Sequence, residues 1–170
     1  MVVAKTEFAY QKLTQQFKPP RKIKRAYLGI SKNEPRKNTK NNCISLPIAR
    51  NPNNRLKMTC DLPQGKESIT HWSVKESYDE GVLLELKLET GRTHQIRVHL
   101  QAAGAELFGD RLYGTNYQHI GPELKTAIAK LGRQALHAHK LEFEHPKTNE
   151  VLSFESDLPE DMKKVLEVLK

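Results

Sequence analysis

Residues 82–104 read VLLELKLETGRTHQIRVHLQAAG, and the hydrophobic period changes within them. Val82, Leu84, Leu86 and Leu88 alternate with Leu83, Glu85, Lys87 and Glu89, the period of a β-strand with one face against a core. Beyond Gly91 two readings compete. Ile96, Val98 and Leu100 continue an alternation, whereas Ile96, Leu100 and Ala103 fit a helical face. Thr93 as N-cap, the alanines and Gly104 as the residue after the C-cap favour a helix. The stretch also crowds Arg92, Thr93, His94, Gln95, Arg97 and His99 between apolar positions, more donors than a merely buried element carries. A helix N-terminus leaves free N–H groups and a partial positive charge. Arg92, Thr93, His94 and Gln95 around that end, with Arg97 one turn inside, suit a phosphate or an ionised carboxylate. A helix end facing water fits the same residues.

Working outward, MVVAK is a β-like run, and Thr6 caps a helix EFAYQKLTQQF in which Ala9, Leu13 and Phe17 recur. The prolines of KPPR stop it. IKRAYLGI, ISLPIA and ITHWSV read as strands, and residues 31–42, SKNEPRKNTKNN, as a mobile basic loop. PELKTAIAKLG is a helix opened by Pro122 and closed by Gly132. ALHAHKLEFEH and EVLSFES form a closing strand pair around PKTN, and a last helix places Met162, Val165, Leu166 and Leu169 on one face. Strands outnumber helices without strict alternation. The fold class is therefore α+β, a mixed, largely antiparallel sheet flanked by helices, in one domain spanning 1–170.

The chain is basic, +8 over 170 residues, and the charge is localised. Residues 18–57 hold twelve Lys/Arg, among them Lys22, Lys24, Arg25, Arg50 and Arg55, against one acid, Glu34. A polyanion-facing surface follows, and nucleic acid is the commonest polyanion. No secretory leader pattern occurs, and the longest uncharged apolar run, CISLPIA, is far short of the roughly 20 residues of a membrane span. The expectation is a soluble cytoplasmic protein without a membrane partner, with Cys43 and Cys60 as reduced thiols. His94 and His99 are five apart and do not share a helix face. His137 and His139 share a strand face without a further ligand at suitable spacing, so no metal site is expected. GAELFGDRLYG lacks the GxGxxG and Gly-Lys-Ser/Thr patterns of phosphate loops.

LETGRTHQIRVHL, then GDRLYG, then LHAHKLEFEHP resemble the RluA-type family of RNA pseudouridine synthases. VVAKTEFAYQKLTQQF, KRAYLGI, LPIARNPNNRLKM, the GK of QGKESITHW and LPEDMKKVLEVL resemble the family pattern in the same order, so the likeness runs over nearly the whole chain. It is greatest to the branch acting on large-subunit ribosomal RNA. The resemblance implies a cofactor-free isomerisation in which a uridine is flipped out of RNA, its N1–C1′ bond broken, and the uracil rejoined through C5. It implies an aspartate nucleophile, an arginine that pairs with it, and a tyrosine that packs on the base and takes part in proton transfer at C5. Matched to the motifs, Arg97 is that arginine and Tyr27 that tyrosine. Lys22, Lys24, Arg25, Arg50, Arg55, Arg92, Thr93, His94 and Gln95 are the expected RNA contacts, and ribosomal RNA, or alternatively transfer RNA, is the expected partner.

The family's nucleophile lies in a segment HRLDxxTSG before a strand like VVAKT, and no HRLD occurs in these residues. Asp110 matches the family's GD pair, which is not the nucleophile. The expectation is an N-terminally incomplete catalytic domain, lacking its first strands and any S4-type domain, and inactive alone. A non-catalytic RNA-binding module derived from the family is the alternative, and a basic ribosome-associated structural protein a third reading. Arg97, without its partner, is expected to turn outward, bind an anion or adopt another carboxylate, beside a positively lined groove bordered by Tyr27.

Overall fold

The computed structural model describes residues 2–18, 21–60, 62–114 and 119–169. Its elements are α1 (Glu7–Phe17), β1 (Lys24–Ser31), β2 (Thr39–Lys40), β3 (Cys43–Ser45), β4 (Ile48–Arg50), β5 (Met58–Cys60), β6 (Ile69–Tyr78), β7 (Gly81–Leu88), α2 (Gln95–Ala102), α3 (Pro122–Leu131), β8 (Leu136–Glu144), β9 (Val151–Glu155) and α4 (Glu160–Leu169). Seven strands form one sheet in the order β2-β3-β6-β7-β1-β8-β9, with β4 and β5 as a separate hairpin. Every described pairing in the large sheet is antiparallel, as the α+β reading expects.

The alternation of β7 sorts the core. Leu83 points to the face covered by α3 and α4, where it meets Leu28, Ile30, Phe108, Leu124, Met162 and Val165. Val82, Leu84 and Leu86 point to the other face, where Ile96 and Leu100 of α2 close over them. Burial of an aliphatic side chain contributes about 1.5–3 kcal/mol, so both faces of this strand hold the layers together. Tyr27, opposite Leu86 in the ladder, packs on the α2 side, whereas its neighbour Leu28 faces α3 and α4. Tyr27 therefore lies on the face that carries Arg97's helix.

Several expectations are corrected. Val2 and Val3 of the β-like opening form no strand, and Val3 is 71% exposed. The helix after Gly91 forms, but its N-cap is His94, in the left-handed region at φ 56°, without a side-chain cap bond. Thr93 loses the capping role because the chain turns one residue later. Residues 31–42 are pinned rather than loose. The N–H groups of Arg36 and Lys37 both donate to the Ala103 carbonyl at 3.0 and 3.2 Å, and Asn38 Nδ2 donates to Ala102. The segment thus satisfies carbonyls left over at the end of α2, and includes β2. CISLPIA divides into β3 and β4, which belong to different sheets. Helix α1 is capped as expected, with the Ala9 N–H donating to Thr6 Oγ1, and ends at Phe17. Pro19 and Pro20, expected to stop it, lie outside the described residues.

Candidate active site and nucleic-acid interface

Arg97 projects from α2 toward the turn GDRLYG. Its Nε and Nη2 each donate to Asp110 at 2.7 Å, a bidentate pair with the guanidinium 15% and the carboxylate 1% exposed. The Asp110 carboxylate also accepts from the Leu112 and Tyr113 N–H groups, both at 3.0 Å. Burial pushes the Asp110 carboxyl up, but Arg97 and those N–H groups outweigh it and hold it below the ordinary carboxylate value. The hydrogen bonds to Asp110 likewise raise the Arg97 pKa against its own burial. The carboxylate that Arg97 meets is thus that of Asp110. Gly109 makes the turn possible. It sits at φ +69°, and a Cβ there would lie 2.1 Å from the Arg133 carbonyl oxygen.

Tyr113 completes this cluster. The guanidinium lies over its ring at 4.9 Å, a cation–π contact. The Tyr113 hydroxyl accepts from Met58 N–H at 2.7 Å and contacts His94 Nδ1 at 2.9 Å. Burial lowers the His94 pKa, Arg97 lowers it further and Asp110 opposes. The free edge of Arg97, Nη1, has no hydrogen-bond partner among the described residues. An arginine holds one anion on each edge, so the geometry accepts a second carboxylate there. Sequence reading misses Asp110 and Tyr113 as members of the site. The only signal is GDRLYG itself, a Gly-Asp turn with an aromatic three residues on.

Gln95, expected from the sequence to contact RNA, is 2% exposed. Its Oε1 accepts from Thr90 Oγ1 and from Arg92 N–H, and its Nε2 donates to the Ile69 carbonyl and to Thr70 Oγ1. All four hydrogen-bonding positions are filled internally, so it stitches β6 to α2 and reaches no ligand. His99, also fully buried, contacts the Leu46 carbonyl through Nε2 and Thr70 Oγ1 through Nδ1. Burial lowers its pKa.

The remaining expected contacts divide by partner. Lys22 and Lys24 pair with Glu144 and Glu142, at 2.9 and 2.5 Å. Arg50 donates to the Arg55 carbonyl, and both arginines lie exposed at the β4–β5 hairpin. Arg25, Arg92 and the unforeseen Arg21 line one groove, of about 750 Å3, across β6, β7, β1 and β8. A second groove, of about 760 Å3, runs between α1 and β8–β9 and is bordered by Tyr10, Phe17, Tyr27, Phe143 and Phe154. Tyr27 thus borders an aromatic groove. Arg97 lines neither of these two grooves. His137 and His139 lie side by side, each tied to Ser156, and no group of three or more His, Cys, Asp or Glu placed to hold a metal ion occurs among the described residues.

A seven-stranded antiparallel sheet with helices on both faces is a frame found in solved structures. The solved human RNA Pseudouridylate Synthase Domain Containing 4 superposes with a TM-score of 0.75 at 22% identity, over 99% of this chain and 70% of that one. Human RNA Pseudouridylate Synthase Domain Containing 1 gives 0.63 at 24% identity, over 95% and 69%. The RNA pseudouridylate synthase family model matches residues 1–102, which include Tyr27 and Arg97. The chain belongs to that family. It is 43% identical to Ribosomal large subunit pseudouridine synthase D of Neisseria meningitidis serogroup A, over 100% of this chain and 45% of that protein. The namesake from Buchnera aphidicola is also 43% identical, over 100% of this chain and 54% of that protein. The chain spans about half the length of the curated relatives it matches. Among the described residues no helix is long and apolar enough to cross a membrane.

Proposed function

We propose that this chain forms part of an RNA pseudouridine synthase acting on uridine in large-subunit ribosomal RNA. The carrying observation is the half-occupied guanidinium of Arg97. One edge is tied to Asp110, and the other is unpaired among the described residues. In this reading the free edge receives the carboxylate of the nucleophilic aspartate and keeps it ionised. Tyr27 packs on the flipped uracil. The N1–C1′ bond breaks, the base turns, C5 bonds to C1′, C5 releases a proton and N1 gains one, so the product is an isomer of the substrate. Flipping costs a few kcal/mol, which aromatic stacking and fixed polar contacts offset. No added cofactor is required by that balance. The nucleophile is not in an HRLD segment of these 170 residues. We assign it to polypeptide outside them, and count residues 1–170 as one incomplete catalytic domain with RNA as its partner.

Tritium release from 5-³H-uridine-labelled ribosomal RNA tests this. The 170-residue chain alone is expected to release none, and the chain extended by the residues encoded upstream of the Met1 codon to release tritium stoichiometrically. Stoichiometric release by the chain alone sinks the assignment of the nucleophile. An upstream sequence with no HRLD, and no release by the extended chain, replaces the enzyme by the non-catalytic RNA-binding module.

A further inference from the structure

Three arginines converge on the groove of about 750 Å3 without meeting a carboxylate among the described residues. Arg21 Nη1 donates to the Glu89 carbonyl at 3.1 Å, Arg25 Nη2 to the Thr90 carbonyl at 3.3 Å, and Arg92 Nε to the Glu67 carbonyl at 3.2 Å. Each guanidinium is therefore oriented by a main-chain oxygen, which fixes its direction without neutralising its charge. Glu89 and Thr90 are consecutive, so two of the anchors sit on the turn between β7 and α2. Gly91 in that turn is what admits Arg25. A Cβ there would stand 3.0 Å from both Nη1 and Nη2.

Three of the groove's four acids have a basic partner within it: Glu89 pairs with His71, Glu85 with Lys87 at 2.9 Å and Glu142 with Lys24, and Glu67 is the fourth acid. Against these four stand Arg21, Lys24, Arg25, Lys87, Arg92 and Lys140. The arginines feel one another: burial, then Arg25 and Arg92, lower the Arg21 pKa. Like charges gathered and directed in this way carry a standing repulsion that a bound anion relieves. A phosphate matches the planar guanidinium fork, which binds it bidentately where a lysine gives a point charge. Among the described residues His71 is the single ring in the groove, whereas the adjoining groove, which shares Arg25, is rich in aromatics. The arginine groove is thus built for the sugar–phosphate backbone rather than for bases.

We infer that Arg21, Arg25 and Arg92 form a clamp for one backbone phosphodiester of the RNA strand, with Arg25 fixed as its floor and Arg21 and Arg92 as its jaws. The inference rests on the RNA reading above and adds to it the residues and the chemical group recognised. Fluorescence anisotropy of the 170-residue chain with a short uridine-containing single-stranded oligoribonucleotide tests it. Arg21→Ala and Arg92→Ala are each expected to weaken binding roughly tenfold, the effect of losing a charge-assisted contact. Each also makes the log–log salt slope shallower by about 0.7. The double variant Arg21→Lys/Arg92→Lys keeps the slope but loses affinity. Replacing phosphates one at a time by neutral methylphosphonates picks out one position that matters to the wild type and not to Arg92→Ala. Arg25 is left intact because it packs on Gly91 and over Phe17, and thermal melts verify the folding of each variant. Unchanged affinity in both alanine variants, with wild-type binding still salt-dependent, overturns the clamp and leaves RNA binding standing. A loss just as large in Arg36→Ala, on the loop capping α2, reduces the effect to general charge and overturns it too. No binding by the wild type overturns both the clamp and the RNA reading.

Discussion

Asp110 and Arg97 meet through two parallel hydrogen bonds of 2.7 Å, and the carboxylate is almost wholly removed from solvent. Thirteen residues separate them along the chain, so the pair ties α2 to the GDRLYG turn and aims the guanidinium at the same time. Removing one member of a buried pair leaves the other charge uncompensated, a loss of roughly 3–5 kcal/mol. Asp110→Asn should therefore lower the urea midpoint of the chain with an unchanged m-value. Arg97→Met combined with Asp110→Asn should cost clearly less than the two single losses added together. Strict additivity in that cycle would show that the pair does not act as a unit.

Gly109 and Gly104 both have positive φ, at +69° and +72°, yet their surroundings differ. At Gly104 the nearest atom to an added methyl is Lys37 Cδ at 3.9 Å, so Gly104→Ala meets only the backbone penalty of about 1 kcal/mol. At Gly109 the same methyl would collide with the Arg133 carbonyl oxygen at 2.1 Å. Gly109→Ala should destabilise the chain several-fold more, or prevent its folding, and should release Asp110 from Arg97. Equal melting temperatures for the two variants would contradict this geometry.

His99 and Asp110 give acid sensitivity in two separate pH windows. Burial holds the folded His99 pKa below its ordinary 6.5, so the unfolded chain binds more protons as the pH falls past 6.5. By linkage the His99 contribution is complete above 6.5 and is lost as pH drops through the lower folded value. The Asp110 carboxyl, held below 3.8, contributes fully above 3.8 and loses that contribution only in stronger acid. Denaturant titrations of the wild type should show stability falling below about pH 6.5. His99→Gln should start lower and fall less over that first window, and a parallel decline in both proteins would remove His99 as its source.

Much of the architecture is legible because it depends on local period. The β7 alternation, Thr6, the Pro122–Gly132 bounds of α3 and the apolar stripe of α4 each state their element within a few residues. What escapes depends on contacts between distant segments. Gln95 follows a basic motif and looks like a ligand residue, but its four partners lie in β6 and the β7–α2 turn, and only the packed sheet shows that it is saturated. The basic segment 31–42 looks unstructured because its hydrogen bonds go to the end of α2, far along the chain. Likewise Arg21 carries no motif, and joins Arg25 and Arg92 only because the β7–α2 turn offers its carbonyls beside the start of β1.

Tyr27→Phe distinguishes the catalytic role proposed for this residue from a part in stability. Its ring packs against the α2-side core and borders the aromatic groove, while its hydroxyl has no hydrogen-bond partner among the described residues. Deleting that hydroxyl removes no bond to them, so Tyr27→Phe should change the stability of the 170-residue chain by no more than about 0.5 kcal/mol. Its stacking surface is kept, and oligoribonucleotide affinity should stay within about twofold, since stacking rather than hydrogen bonding carries base contacts of this kind. If Tyr27 takes part in proton transfer at C5, the same substitution in the extended, active polypeptide should lower kcat by about 100-fold or more with KM little changed. Tritium release under single-turnover conditions measures the chemical step directly. Wild-type turnover in Tyr27→Phe would confine the residue to packing and require another group to handle the proton.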